Sequence, residues 1–199
     1  MLDGAFSHDP IAWFQHVFAE ASQLEKDDAS RAALATVDAS GQPNVRYVLV
    51  KDVDERGFAF FTNYQSKKAQ ALRAHPRAAL AFHWWSTGIQ VRVEGVASEV
   101  SAPESDAYFA SRPRGSQLAA WASSQSAPIE SRAMLEQQLA AISQRFPDNT
   151  VVPRPPHWGG FRIRPERIEL WKNHMFRLHD RWNFTRDAQG GWHGERLQP

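Results

Sequence analysis

Near the end of the chain stands the run Arg177-Leu178-His179-Asp180-Arg181-Trp182, with Trp171 shortly before it. In an extended strand alternate side chains share a face, which would put Arg177, His179 and Arg181 together. Guanidinium groups are planar and offer forked donors, so two of them suit an anion or a flat conjugated ring. An imidazole between them can donate, accept or move a proton near neutral pH. A solvated strand face whose arginines pair with acidic residues fits the same pattern.

Other segments offer complementary groups. Arg46-Tyr47-Val48-Leu49-Val50-Lys51 is an apolar strand with a cation at each end. Five residues apart on a regular strand means opposite faces, so a twist, a bulge or a long ligand must reconcile Arg46 with Lys51 if both serve one site. Phe60-Phe61-Thr62-Asn63 leads into Ser66-Lys67-Lys68, a strand end followed by a helix start. Free N–H groups, the positive end of the helix dipole and two lysines there suit a phosphate; an ordinary capped surface helix is the alternative. Gln90 opens a strand with an amide that both donates and accepts, as a ring edge of alternating carbonyls and nitrogens requires. Tyr108 and Arg112 are four apart, as neighbours on a helix are, and Ser116 follows a proline-marked turn. The three form a convergent donor set for a second phosphate, or a helix end decorated with arginine. Trp121 to Ser126, with Gln125 and Ser126, reads as a polar loop, and Trp158-Gly159-Gly160-Phe161-Arg162 as a tight glycine turn feeding a strand.

The remaining sequence bounds these possibilities. With 23 basic and 22 acidic residues the net charge is +1, so nothing pulls the whole chain toward nucleic acid or anionic membrane. Cysteine is absent, which excludes disulfides, thiolate metal sites and thiol nucleophiles and fits a reducing, cytoplasmic setting. Met1 to Pro10 lacks a secretory pattern, and no apolar run is long enough to span a bilayer. There is no dinucleotide fingerprint, phosphate-binding loop or nucleophile elbow, and no His pair at helical metal spacing, so no metal site is expected.

These side chains need a scaffold, and the pattern predicts one. Asp9-Pro10 starts a helix over 10–25, with Ile11, Phe14, Val17, Phe18 and Ala21 at helical spacing. Strands are expected over 32–37, 45–51, 58–62, 78–84 and 90–99, with a short helix capped by Ser66 and running to Ala74. Helices follow over 103–111 and 134–146, a proline-rich loop over 151–156, and strands over 161–163, 168–171, 177–184 and 192–197. Hairpin-linked strands with inserted helices predict a mainly β, α+β architecture: one antiparallel barrel with peripheral helices, spanning 1–199 as a single domain.

The motifs taken together resemble the pyridoxamine 5′-phosphate oxidase family over about Asp9 to Pro199. The family has Arg-x-Val-Leu-Leu-Lys where this chain has Arg46 to Lys51. It has Phe-Tyr-Thr-Asn and Ser-Arg-Lys where this chain has Phe60 to Asn63 and Ser66 to Lys68, with Phe61 and Lys67 as departures. Its Arg-Gln-Val-x-Val-x-Gly aligns with Ile89 to Gly95, Ile89 replacing Arg, and its Tyr-Phe-x-Ser-Arg-Pro-x-x-Ser-Gln matches Tyr108 to Gln117 at every fixed position. Trp-x-x-x-Gln-Ser, Trp-Gly-Gly-Phe/Tyr-Arg and the terminal Arg-Leu-His-Asp-Arg follow in order. The resemblance implies an FMN-binding split β-barrel that forms homodimers with flavin between the subunits. It further implies O2-dependent oxidation of pyridoxamine and pyridoxine 5′-phosphates to pyridoxal 5′-phosphate, releasing H2O2. It assigns Arg46, Lys51, Phe61, Thr62, Lys67, Lys68, Gln90, Gln125, Ser126, Trp171 and Arg181 to flavin. Lys51, Tyr108, Arg112, Ser116, Arg177 and His179 go to the substrate, the last two as catalytic groups. Asp28 aligns with a family acid placed over the substrate. A sister oxidase of the phenazine type and a non-catalytic flavin or pyridoxal phosphate binder share much of this pattern.

Overall fold

A computed structural model describes residues 9–199. The stretch before Asp9, where no secretory signal is expected, lies outside the described residues. Helix α1 (Pro10–Leu24) starts as its sequence requires: the Asp9 carboxylate accepts from the backbone N–H groups of Ile11 and Ala12. Its apolar stripe sets the Phe14 ring 4.9 Å from Phe58, 4.9 Å from Phe82 and 5.8 Å from Trp84, closing the core on that side.

Eight antiparallel strands follow: β1 (Arg31–Val37), β2 (Pro43–Asp54), β3 (Gly57–Asn63), β4 (Arg77–Trp84), β5 (Ile89–Glu99), β6 (Trp158–Lys172), β7 (Asp180–Arg186) and β8 (Trp192–Arg196). Their order is β3-β2-β1-β4-β5-β6-β7-β8, and β6 also pairs with β3. Six strands therefore close into a barrel, with β7 and β8 extending the sheet beyond it. This is a split β-barrel. Alternation is visible along β4, where Ala78, Leu80, Phe82 and Trp84 are buried and the residues between them are more exposed. Helix α2 (Lys67–Ala74) is capped by the Ser66 hydroxyl; α3 (Ala102–Ser111), α4 (Arg114–Ala122) and α5 (Arg132–Arg145) lie between β5 and β6. Among the described residues no helix is long and apolar enough to cross a membrane.

Three expectations are corrected. The two short strands expected over 161–163 and 168–171 are one strand, β6, which passes through Pro165 opposite Gly95 at a register shift. Gly159 and Gly160 belong to that strand, paired with Thr62 and Phe61, rather than to a turn. A Cβ on Gly160 would sit 2.8 Å from the Phe61 ring, so glycine here serves close approach. Finally, the strand expected over 177–184 begins only at Asp180. Met175–Arg177 form a 3₁₀ turn in which Phe176 (φ 58°) and Arg177 (φ 61°) are left-handed. Arg177, His179 and Arg181 therefore do not share a strand face. Helix α4 was not expected at all.

Candidate active site

A cleft of about 630 Å3 opens between β2, β3 and helices α3 and α4. Lys51, Phe61, Thr62, Lys68, Tyr108, Arg112, Ser116 and Gln125 all line it. The β2–β3 register shifts between Val50 and Asp52, and of the Arg46 and Lys51 pair only Lys51 lines the cleft. Lys51 sits in that bulge, on the cleft, with its ammonium 3.2 Å from Asp28 Oδ2 and 3.1 Å from Ser30 Oγ. Hydrogen bonds from Ser30, more than the Lys51 charge, hold the Asp28 carboxyl below the usual carboxylate range. Arg46 does not line the cleft; its Nη1 donates to the Leu34 carbonyl (3.1 Å) and to Thr36 Oγ1 (2.7 Å).

At one end Lys68 is a cation among neutral acceptors. Its Nζ donates to Thr62 Oγ1 (3.0 Å), Ser66 Oγ (3.3 Å) and Gln125 Oε1 (2.8 Å). Burial, and secondarily the charge of Arg46, pulls its pKa down to about 8. Next to it the Ser126 hydroxyl accepts from the backbone N–H of Lys67, joining the 125–126 turn to the start of α2; Ser126 itself is left-handed (φ 74°).

Toward α3 stands an aromatic wall. Phe61 stacks on Tyr108 at 4.0 Å and on Trp158 at 5.5 Å, with planes within 17° and 9° of parallel. The Arg112 guanidinium lies 4.7 Å from the Trp158 ring centre, and its buried Nη1 has no partner among the described residues. Burial lowers its pKa and raises that of Tyr108. A buried guanidinium nitrogen without an acceptor is costly, and a lysine that meets only neutral oxygens keeps its full charge, so Arg112 and Lys68 are both suited to an anion. Trp158, in sequence only part of a glycine motif, joins this stack through Phe61 and Tyr108, both distant along the chain.

The remaining predicted residues lie elsewhere on the chain. Gln90, Trp171 and Arg181 line a smaller depression of about 210 Å3 with Arg92 and Glu169. There Arg181 is held by Glu169 Oε1 (2.7 and 2.8 Å) and by the Gln198 carbonyl (3.0 Å). His179 tilts against Trp171 with ring centres 4.5 Å apart, and its Nδ1 accepts from the His174 backbone N–H. Neither Arg177 nor His179 reaches the main cleft.

Comparison with known proteins identifies the family. Residues 18–146 match the family model described as pyridoxamine 5′-phosphate oxidase. The chain belongs to the pyridoxamine 5′-phosphate oxidase family. Residues 158–199 match a second model, the pyridoxine 5′-phosphate oxidase C-terminal dimerisation region. A pyridoxine/pyridoxamine 5′-phosphate oxidase of Burkholderia lata is 53% identical over 195 residues, covering 97% of this chain and 90% of that one. The protein of the same name from Hyphomonas neptunium is 52% identical over 191 residues, covering 96% and 87%. Among solved structures, PhzG from Burkholderia lata in complex with tetrahydrophenazine-1-carboxylic acid superposes with a TM-score of 0.88 at 28% identity, covering 96% and 92%. A pyridoxamine 5′-phosphate oxidase-related, FMN binding protein from Nostoc punctiforme has the same fold, with a TM-score of 0.77 at 19% identity over 96% and 98%.

Proposed function

We propose that this chain is an FMN-dependent oxidase that converts pyridoxamine and pyridoxine 5′-phosphates to pyridoxal 5′-phosphate, with O2 as acceptor and H2O2 as product. One observation carries the reading: two half-buried cations, Lys68 and Arg112, have no carboxylate partner among the described residues and flank a common cleft with an aromatic wall. Two phosphorylated aromatic molecules require two anion sites with flat surfaces between them. The donor set fits FMN: Lys68, Thr62, Gln125 and Ser126 with the start of α2 for its phosphate, supported by Arg46 and Lys67. Gln90, Trp171 and Arg181 fit its ring. When bound, FMN accepts the hydride equivalent and returns electrons to O2.

The chain's own residues bind and orient. Lys51, Tyr108, Arg112 and Ser116 hold the substrate phosphate. Phe61 borders this site through its stack on Tyr108. Arg177 and His179 align the carbon to be oxidised. Since these two lie outside the cleft of their own chain, a second copy must supply them. Tyr47 (72% exposed) and Leu49 stand at the cleft, while Met175, Phe176 (87% exposed) and Leu178 flank Arg177. Both are apolar surfaces suited to burial between two copies, and the match to a dimerisation region supports a homodimer. The whole chain, 1–199, then works as one domain per subunit, in the cytoplasm.

The superposition on PhzG favours a second reading, a sister oxidase of the phenazine type acting on another aromatic substrate. Identity of 53% to a B6 phosphate oxidase against 28% to PhzG weighs for the first. The test is to incubate purified protein with each B6 phosphate and with a reduced phenazine carboxylate, following aldehyde and peroxide. Released flavin is identified after denaturation. Aldehyde and peroxide from the B6 phosphates with FMN released are expected; turnover of the phenazine alone, or FMN-free protein that FMN cannot reconstitute, would overturn the reading.

A further inference from the structure

Arg162 lies one residue beyond the Gly160–Phe161 pair, 7% exposed, and the reading above gives it no task. Its Nη2 donates to Asp52 Oδ2 (2.7 Å) and Glu104 Oε1 (2.9 Å). Its Nη1 donates to Asp54 Oδ1 (2.9 Å) and to the Gly57 carbonyl (3.3 Å). Two of the three carboxylates it holds are close along the chain to residues that line the cleft. Asp52 directly follows Lys51 at the β2 bulge. Glu104 is on α3, one helical turn before Tyr108 and two before Arg112, so the three share one stripe of the helix. The half-exposed Arg56 joins the same carboxylates from outside.

We propose that Arg162 is a positioning residue that sets the spacing between the two walls of the substrate phosphate site: Lys51 on β2 and the Tyr108–Arg112 face of α3. The assignment rests on the functional reading above for the identity of the phosphate. A guanidinium is suited to this task because its planar fork fixes the directions of its acceptors. Neighbouring contacts hold α3 elsewhere: Gly160 N–H donates to Ser105 Oγ (3.3 Å), and Arg154 pairs with Asp106 (2.6 Å). Arg162 joins Glu104 to the Lys51 bulge through a single buried nitrogen, whereas the half-exposed Arg56 bridges the same two carboxylates at longer range, 3.2 and 3.9 Å.

Replacing Arg162 would strand three carboxylates, so the test uses its partners, which are partly solvated. Glu104→Ala and Asp52→Ala are compared with Glu104→Gln, whose amide oxygen still accepts from Arg162. Small displacements of a binding group are costly, so KM for phosphorylated substrate should rise about five- to twentyfold in the alanine variants. kcat and bound flavin should stay within about twofold, and Glu104→Gln should recover most of the KM. Calorimetric titration with inorganic phosphate gives a readout without turnover. Glu104→Ala should weaken the site that Arg112→Ala abolishes, by the same factor. Unchanged KM and phosphate affinity in Glu104→Ala, even with a lowered Tm, would show a purely structural network and overturn the assignment. If the wild type oxidised no B6 phosphate, the functional reading would fail separately while the phosphate titration still judged the positioning role.

Discussion

The main cleft and the C-terminal cluster are both rich in cations, yet they treat them oppositely. In the cleft, Lys68 faces only neutral oxygens and Arg112 leaves a buried nitrogen unpaired. In the C-terminal cluster, Arg181 and Arg92 meet Glu169, Asp180 pairs with both His174 and Arg196, and the apolar residues are turned outward. The first region has charge to offer an anion. In the second, Arg92, Arg181 and Arg196 are neutralised within their own chain, and what it offers is shape, an imidazole, the Arg177 guanidinium and exposed apolar surface. A site needing both must bring a finished wall and a separate lid together, which a second copy can do.

The comparison can be broken most severely at its charges. Lys68→Met removes the cation at the proposed flavin phosphate, and losing a charge-assisted contact costs roughly 1.5–3 kcal/mol, about ten- to a hundredfold in affinity. Flavin content after gel filtration should fall accordingly. Arg112→Ala should instead raise KM for the phosphorylated substrate by a similar factor and leave flavin in place. A reversed outcome, with flavin lost from Arg112→Ala and kept by Lys68→Met, would exchange the two sites.

The C-terminal cluster predicts a different signature. Arg177→Leu and His179→Ala, loaded with flavin and saturated with substrate, should show slower flavin reduction in rapid mixing, because phosphate anchoring alone lets the ring tilt. Wild-type rates in both would reduce these residues to surface. Tyr47→Glu puts a charge on the apolar β2 face; sedimentation should show dissociation, with flavin lost in parallel because a ligand of the dimer stabilises the dimer.

The smallest expected effect is on pH. The Lys68 pKa of about 8 lies below that of a free lysine, so raising pH through 8 discharges it. FMN affinity should therefore weaken from pH 7 to 9, with proton uptake on binding near pH 8. Stability of the flavin-free protein should move the other way, since above pH 8 the unfolded chain holds this proton more tightly than the folded one. Fluorescence titration across that range checks the first and chemical unfolding the second.

How much of this was legible depends on whether the signal was local. Asp9-Pro10, Ser66 and the alternation of β4 announced their elements, and Tyr108, Arg112 and Ser116 do converge on one cleft. Left-handed Phe176 and Arg177 carried no residue-type signal, since glycine or asparagine is the usual marker. Alternating Arg-x-His-x-Arg consequently read as a strand. Pro165 suggested a break in β6 that Gly95 absorbs across the ladder. Trp158, Glu169 and Arg162 take their roles from partners more than ten residues distant in sequence, which spacing cannot show.

Subunit complementation tests the central comparison most directly. Lys68→Met and Arg181→Ala proteins, each largely free of flavin at an FMN concentration that just saturates the wild type, are mixed, dissociated and reassociated at that concentration. If wall and lid come from different copies, a mixed dimer carries one site with both defects and one with neither. Random pairing then restores about a quarter of wild-type activity. No restoration, with mixed dimers demonstrated, would place Lys68 and Arg181 in the same chain's site and contradict the account.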